Sequence, residues 1–117
     1  MRPTILIVDD HREFRRVARS LLEADGFLVV GEAVGGDDAL TEAKRLRPDV
    51  VLLDIALGGV DGLEVAILLA ALADPPKVVL ISSRDASVYA TRIAASPALG
   101  FIPKNRLSGA ALAELVG

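Results

Sequence analysis

The sequence predicts an α/β fold in which helices cover both faces of a five-stranded parallel sheet, a doubly wound (βα)5 domain. Short aliphatic runs such as Ile5–Val8 and Val50–Leu53 are typical of strands buried on both faces of a parallel sheet. Longer segments with apolar residues at helical spacing alternate with these runs. Right-handed crossovers turn such an alternation into a doubly wound sheet.

Length and composition favour one domain and exclude several classes of function. The chain has 117 residues, of which 52% are apolar and 3% aromatic, so the predicted core is aliphatic. The absence of cysteine excludes disulfides, thiolate metal sites and cysteine nucleophiles. A formal charge of −3 disfavours direct contact with nucleic acid. There is no signal-peptide pattern and no apolar stretch near the roughly 20 residues that span a bilayer, so we expect a cytoplasmic protein without membrane contact.

The first half of the chain contains three predicted strands and two predicted helices. These are strand Ile5–Val8, helix His11–Ala24, strand Phe27–Val30, helix Asp38–Leu46 and strand Val50–Leu53. Gly26 is a typical end of the first helix. The turn Gly35-Gly36 and acids in the first turn indicate where the second helix begins, and Pro48 ends it.

The second half contains the remaining two strands and three helices. These are helix Gly62–Leu72, strand Val78–Ile81, helix Ser87–Ala95, strand Leu99–Ile102 and a short last helix. Asp61 is the predicted N-cap of the third helix, with Glu64 placed for a capping box. Ser108 is the predicted cap of the last helix, with Leu107 and Leu112 as a hydrophobic staple.

Polar side chains follow four of the five predicted strands. Asp9 and Asp10 follow the first strand, Asp54 the third, Ser82 the fourth and Lys104 the fifth. The carboxyl ends of parallel strands meet at one edge of the sheet, so three carboxylates should lie close together. Crowded like charges require a cation, and Mg²⁺ is the oxygen-seeking ion that we expect. The same groups suit a phosphoryl group on an aspartate, since metal, ammonium and hydroxyl all stabilise its oxygens.

On these residues the chain resembles the receiver domain of bacterial two-component response regulators, over essentially all 117 residues. The matching motifs are Val8-Asp9-Asp10, Leu53-Asp54-Ile55 with Asp61-Gly62 downstream, Ile81-Ser82-Ser83 and Gly100-Phe101-Ile102-Pro103-Lys104. The resemblance implies the flavodoxin-like receiver fold and a single receiver domain over residues 1–117. It also implies that any effector domain lies outside this chain.

The resemblance implies a Mg²⁺ site at the strand ends. Asp9 and Asp10 match the metal-site acids of the family, with Asp10 the direct ligand. Asp54 and the backbone carbonyl of Ala56 would complete the protein ligands.

The resemblance also implies a phosphorylation switch. Asp54 matches the phosphoacceptor, Lys104 the lysine that pairs with the phosphoryl group, Ser82 the switch hydroxyl and Phe101 the aromatic switch residue. The implied donor is a sensor histidine kinase or a histidine phosphotransfer protein. Such a domain catalyses only its own phosphotransfer and dephosphorylation, so we do not expect an enzyme that acts on a separate substrate.

Two departures from the family pattern concern loops. Gly58, next to Gly59, stands where the family often has proline after the acceptor strand, which predicts a more flexible loop. Asn105 stands where proline often follows the lysine. Neither departure removes a group of the predicted site.

Three alternative functions remain open at this stage. A divergent receiver could act as a protein-binding module without phosphorylation. A phosphohydrolase could use an aspartyl-phosphate intermediate, although such enzymes usually carry Asp-x-Asp. A nucleotide-binding domain is disfavoured because no glycine-rich phosphate loop follows the first strand.

Three surface features have both an ordinary and a functional interpretation. His11, the sole histidine, could be a metal ligand or a phosphorylated group, but we favour an exposed position at the helix start. Four arginines of the first helix could form a stripe that steers an acidic partner. Ile67, Leu68 and Ala71 of the third helix are either covered by neighbouring helices, which we favour, or exposed in a homodimer interface. The arginines of the stripe are Arg12, Arg15, Arg16 and Arg19.

Overall fold

The computed structural model describes residues 2–117 and contains a five-stranded parallel sheet, as predicted. In chain order the strands are β1 (Thr4–Val8), β2 (Leu28–Ala33), β3 (Val50–Asp54), β4 (Ala56–Leu57), β5 (Val60–Asp61), β6 (Lys77–Ser82) and β7 (Gly100–Pro103). The main sheet has the order β2-β1-β3-β6-β7, and all its neighbouring strands are parallel. This order is the flavodoxin-like arrangement of doubly wound sheets, and β1 and β3 lie side by side near its centre.

Five α-helices cover the two faces of this sheet. They are α1 (Arg12–Ala24), α2 (Gly36–Leu46), α3 (Gly62–Ala70), α4 (Ala90–Ala95) and α5 (Gly109–Val116). Helices α1 and α5 pack on one face, and α2, α3 and α4 pack on the other. Within residues 2–117, every helix is too short or too polar to cross a membrane.

Alternate residues of each central strand enter two separate cores, which explains the continuous aliphatic runs. Ile5 and Ile7 of β1 face Leu22 of α1 and Leu112 of α5. Leu6 and Val8 face the opposite core. That core includes Leu53, Leu80, Ala66 and Leu69. Because both faces are buried, the strand positions tolerate only apolar side chains until the carboxyl edge is reached.

The predicted helix caps are confirmed, apart from the reciprocal half of one capping box. Gly26 has a φ of 94° beyond the C-terminus of α1, a left-handed conformation that favours glycine. The Asp61 carboxylate accepts a hydrogen bond from Leu63 N at 2.9 Å at the start of α3. Ser108 Oγ accepts one from Ala111 N at 3.0 Å at the start of α5. No return bond from Glu64 to the Asp61 amide is found among the described residues.

Several predicted boundaries are wrong by a few residues, and the largest error concerns the fourth helix. The predicted continuous helix Ser87–Ala95 is instead a 3₁₀ turn at Ala86–Val88 followed by α4 from Ala90. The Asp85 carboxylate accepts a hydrogen bond from Ser87 N at 2.9 Å and stabilises the separate turn.

The second strand is longer than predicted. It continues from the predicted end at Val30 to Ala33, in register with Val8 of β1. Polar Glu32 is half-buried on this strand, where its carboxylate pairs with Arg15 and Arg19 of α1. The remaining strand and helix ends shift by one or two residues, and His11 becomes the N-cap of α1 rather than its first residue.

A small hairpin replaces the flexible loop expected at the glycine pair. Strands β4 and β5 pair antiparallel, and Gly58 and Gly59 form the turn between them with φ values of 56° and 96°. Two positive φ values in succession are typical of a type I′ turn, for which glycine is favoured at both positions. The glycine pair therefore forms a regular turn rather than a flexible loop. We did not predict the two short strands on either side of it.

Helix α3 leaves part of its apolar surface uncovered, contrary to the interpretation we favoured. Val65 and Leu69 are buried against the sheet, as predicted. Ile67 and Leu68 are 57% and 51% exposed, so neighbouring helices do not cover them. One stripe suffices to anchor a helix on a sheet, and the other side remains available to a partner.

The arginine stripe on α1 is largely engaged within the chain. Glu32 of β2 accepts hydrogen bonds from Arg15 Nε at 2.8 Å and from Arg19 Nε at 3.0 Å. Arg16 pairs with Glu13 one turn away. Arg12 has no ion-pair partner among residues 2–117. The expected stripe of four free cations is therefore reduced to one unpaired residue.

We predict that Gly62→Ala strongly destabilises the fold. A Cβ at this position would collide with the Asp54 carbonyl oxygen and would lie 2.8 Å from Ile55 Cα, and backbone atoms cannot move aside easily. The free energy of unfolding should fall by about 2 kcal/mol or more, measured by urea denaturation. Gly35→Ala is the control, because its Cβ would meet nothing within 4 Å. Gly35 is the N-cap of α2, so this replacement should cost at most about 1 kcal/mol. Equal effects of both replacements would contradict the prediction.

We predict that the contribution of Glu32 to stability disappears at low pH. Burial alone would raise the pKa of Glu32, but the guanidinium groups of Arg15 and Arg19 outweigh it and lower the pKa from its ordinary value of 4.5. Its stabilising effect is therefore present above pH 4.5 and lost as the pH falls through the lowered value.

Glu32→Gln should therefore cost up to about 1 kcal/mol at pH 7 and progressively less below pH 4.5, measured by urea titrations across this range. Glu114→Gln, at an exposed acid of α5, is the matched control and should change stability by less than about 0.5 kcal/mol. A Glu32→Gln deficit that stays constant down to pH 3, about a unit and a half below the ordinary value, would contradict the assignment.

Candidate functional site

The predicted acids lie together at the carboxyl ends of β1 and β3. Val8 and Leu53 are register partners, so the residues that follow them, Asp9 and Asp54, leave adjacent strands at the same level. Both carboxylates are buried, with 0% and 2% of each residue exposed. Two buried carboxylates side by side repel each other, so nearby positive charge determines whether both can stay ionised.

Lys104 supplies the positive charge between these two carboxylates. It begins a 3₁₀ turn directly after β7, and its Nζ lies 3.1 Å from Asp54 Oδ2 and 2.7 Å from Asp9 Oδ2. Nζ donates a hydrogen bond to Asp54 Oδ2 and forms an ion pair with Asp9 Oδ2. The Lys104 ammonium also lies 4.6 Å from the centre of the Phe14 ring, a cation–π contact that the sequence did not reveal.

Burial and neighbouring charges have opposing effects on the pKa values of Asp54 and Lys104. Burial raises the pKa of Asp54, the Asp9 carboxylate raises it further, and Lys104 acts in the opposite direction. Burial would lower the pKa of Lys104, but Asp9 and Asp54 together raise it, so the ammonium stays charged. Lys104 thus compensates for one of the two buried negative charges and leaves the other unbalanced.

Asp10 and His11 form the outer side of the same cluster. Asp10 is one-third exposed, and its Oδ2 lies against the β4–β5 turn, where a Cβ on Gly58 would approach it to 2.7 Å. His11 Nδ1 lies 3.0 Å from Asp9 Oδ1 and 3.1 Å from Asp10 Oδ1. His11 is at the exposed start of α1, as predicted, with 65% of its side chain accessible.

The cluster fits a divalent cation. Asp9, Asp10, His11 and Asp54 each offer a ligand atom, and these atoms lie within 4.8 Å of one another. Three carboxylates and one ammonium leave an excess of two negative charges. Asp9 Oδ2 is buried and receives no hydrogen bond from any of residues 2–117. Carboxylate oxygens suit hard ions such as Mg²⁺, so the donor set agrees with the predicted metal.

Ala56 and Ser82 flank the cluster. Ala56 N donates a hydrogen bond to Asp54 Oδ1 at 3.2 Å, and its backbone carbonyl remains a predicted metal ligand. Ser82 is buried at the end of β6, and its Oγ accepts a hydrogen bond from Arg84 N at 3.0 Å. Within the described residues, Ser82 forms no hydrogen bond to Asp54 or Lys104.

Phe101 lies on β7, on the face that carries α4. It is half-buried beside the core to which Tyr89 and Ile93 also belong. The sequence indicated Phe101 but not Tyr89, which precedes α4 and shares this half-buried layer. Tyr89 and Ile93 are four residues apart, and this helical spacing could have revealed it.

Comparisons with known proteins agree on one family. The family model described as "Response regulator receiver domain" matches residues 5–116. Response regulator GacA of Pseudomonas viridiflava is 38% identical over 113 residues, which are 96% of this chain and 51% of that protein. The chain spans about half the length of the curated relatives it matches.

Solved structures show the same fold. The signal receiver domain of NarL from Mycobacterium tuberculosis superposes with a TM-score of 0.86 at 32% identity, covering 99% of this chain and 98% of that one. The response regulator domain of Thermotoga maritima CheB superposes with a TM-score of 0.84 at 26% identity, covering 99% and 94%. The similarity therefore extends over the complete sheet and its helices.

We predict that Asp54→Asn stabilises the folded protein when divalent ions are absent. The replacement keeps the shape of the side chain and removes a buried charge that Asp9 repels. The free energy of unfolding in EDTA should rise by roughly 1 kcal/mol, the usual size of a single replacement. Urea denaturation with and without millimolar Mg²⁺ measures it, and Mg²⁺ should reduce the difference because it binds the wild type better.

Asp74→Asn, at an exposed acid in a loop, is the control and should change stability by less than about 0.5 kcal/mol. A less stable Asp54→Asn variant in EDTA would mean that the attraction between Lys104 and Asp54 outweighs the repulsion.

Proposed function

This chain belongs to the response regulator receiver domain family, and we propose that it is a signalling switch that accepts a phosphoryl group on Asp54. The observation that carries the proposal is the buried Asp54 carboxylate at a strand end, within 3.1 Å of the Lys104 ammonium and next to two further acids. Asp9 is equally buried and also contacts Lys104, so the choice of Asp54 as acceptor rests in addition on its match to the phosphoacceptor position of the family.

The proposed step is a direct transfer between a partner's phosphohistidine and this chain. A carboxylate oxygen of Asp54 attacks phosphorus, an O–P bond forms and the P–N bond to the imidazole breaks. The leaving imidazole keeps the bonding electron pair and takes up a proton. Lys104 lies where it can neutralise negative charge that the transferring phosphoryl group brings to Asp54.

We assign the metal of this site to Mg²⁺. Asp9, Asp10, Asp54 and the carbonyl of Ala56 would hold it. When bound, Mg²⁺ supplies charge neutralisation for the phosphoryl oxygens. The residues of the chain do the remaining work, because the adjacent strand ends keep Asp9 and Asp54 in place.

The proposed output is a change on the α4 face. Ser82 Oγ accepts one hydrogen bond, and its own hydroxyl proton can be donated to a phosphoryl oxygen. Movement of Ser82 would change the space beside Phe101 and α4. Helix α4 has six residues and a separate 3₁₀ turn before it, so this element can move at low cost.

The partners follow from the same interpretation. The phosphoryl donor is a sensor histidine kinase or a histidine phosphotransfer protein in the cytoplasm. The greater length of the relatives supports an effector domain, so contact with nucleic acid would be made there rather than by this domain. Exposed Ile67 and Leu68 on α3 are the surface through which a homodimer would form.

We predict that a small phosphodonor modifies the wild-type chain and not Asp54→Asn. Intact mass spectrometry after acetyl phosphate treatment should show one added phosphoryl group, dependent on Mg²⁺. Asp74→Asn should be modified like the wild type. Beryllofluoride binding provides a second readout that requires no bond-breaking chemistry.

An adduct that persists in Asp54→Asn would refute the assigned acceptor. A folded wild type with neither adduct nor beryllofluoride binding would refute phosphorylation and favour the phosphorylation-independent binding module. Turnover of small phosphomonoesters would instead favour the phosphohydrolase.

A further inference from the structure

We propose that His11 is a nitrogen ligand of the divalent centre when a first-row transition ion occupies it, and that it raises the affinity for such ions relative to Mg²⁺. This inference rests on the proposed function, because it concerns the same metal site. The assigned ligands are all oxygen atoms, and oxygen ligands suit Mg²⁺. An imidazole ligand instead favours transition ions, which follow the Irving–Williams order.

The distances around His11 Nδ1 are those of ligands on a shared ion. In an octahedral site with bonds of about 2.1 Å, neighbouring ligand atoms lie about 3.0 Å apart and opposite ones about 4.2 Å apart. Nδ1 lies 3.0 Å from Asp9 Oδ1 and 3.1 Å from Asp10 Oδ1. The ligand atoms of the whole cluster lie within 4.8 Å of one another. A small contraction would therefore close the centre around one cation.

Asp9 Oδ1 accepts a hydrogen bond from His11 N at 2.8 Å and lies within hydrogen-bond distance of Nδ1, whereas the contact between Nδ1 and Asp10 Oδ1 is not a hydrogen bond. A neutral imidazole carries at most one proton on Nδ1, whereas two carboxylate oxygens approach that atom. A cation between the three atoms would attract all of them. The excess of two negative charges in the cluster also matches the charge of a divalent ion.

The position of His11 allows the ligand to be exchanged without disturbing the fold. It is the N-cap of α1, but its side chain forms no capping hydrogen bond. Most of the ring is exposed, so its loss removes no core contact. Its neighbour Arg12 is also exposed and offers no metal ligand, which makes it a matched control.

The test uses Mn²⁺ as the probe on tag-free protein at pH 8, where histidine side chains are ordinarily neutral ligands. Pulsed electron paramagnetic resonance of bound Mn²⁺ should show coupling to an imidazole ¹⁴N nucleus. Because the chain has one histidine, this coupling can be assigned to His11 without ambiguity. The coupling should vanish in His11→Ala and persist in Arg12→Ala.

Affinities give an independent readout. Titrations of Mn²⁺ and of Mg²⁺ should show that His11→Ala weakens Mn²⁺ binding on the order of ten-fold and changes Mg²⁺ binding much less. Arg12→Ala should alter both affinities by a similar factor and leave their ratio unchanged. Bound Mn²⁺ without nitrogen coupling, or an unchanged affinity ratio in His11→Ala, would overturn the inference.

The outcome separates this inference from the proposed function. Beryllofluoride binding and Asp54-dependent phosphorylation with Mg²⁺ are measured on the wild type and on Arg12→Ala, and both proteins should show them. Their presence in a wild type that lacks nitrogen coupling would refute the role of His11 alone, whereas their absence would refute the proposed function. Loss of all divalent binding in a folded Asp10→Asn variant, with coupling present in the wild type, would support the centre described here.

Discussion

Two buried carboxylates, Asp9 and Asp54, share one ammonium group, and the rest of the site depends on how that charge is balanced. The central strands β1 and β3 are register neighbours, so the residues that follow them cannot move apart. Lys104 compensates for one charge, and the repulsion between the two carboxylates makes the other costly to bury. The donor atoms of the cluster therefore fit a cation, and binding of one would stabilise the folded state.

The scaffold keeps this costly arrangement in place through close backbone contacts. Gly62 approaches the Asp54 carbonyl oxygen so closely that no side chain fits, which presses the start of α3 against the end of β3. Gly58 makes room for the Asp10 carboxylate in the same way. Beside this edge lie the 3₁₀ turn and the short α4, and neither element has a buried residue. In the proposed function, a local change of charge at the edge would act on this less tightly packed surface.

The sequence was informative wherever one physical requirement dominated a segment. Strands buried on both faces require aliphatic runs, so all five strands of the main sheet were predicted. The caps Asp61 and Ser108 were predicted because unsatisfied helix amides require a nearby acceptor. Prediction failed where two local preferences competed, as at Ser87, where a turn stabilised by Asp85 replaced the first part of the fourth helix. It also failed on α3, because an apolar run does not indicate which of its residues a neighbouring helix covers.

The sequence alone determined which residues stand at the carboxyl ends of the strands, because strand periodicity and strand order suffice for that. It therefore identified the acids, Ser82 and Lys104 as one group. Only the tertiary structure decided how the side chains meet: Lys104 between two carboxylates and over Phe14, and Glu32 between two arginines. It also placed His11 Nδ1 beside both Asp9 and Asp10. These contacts depend on packing between distant segments and on side-chain orientation, which no local pattern encodes.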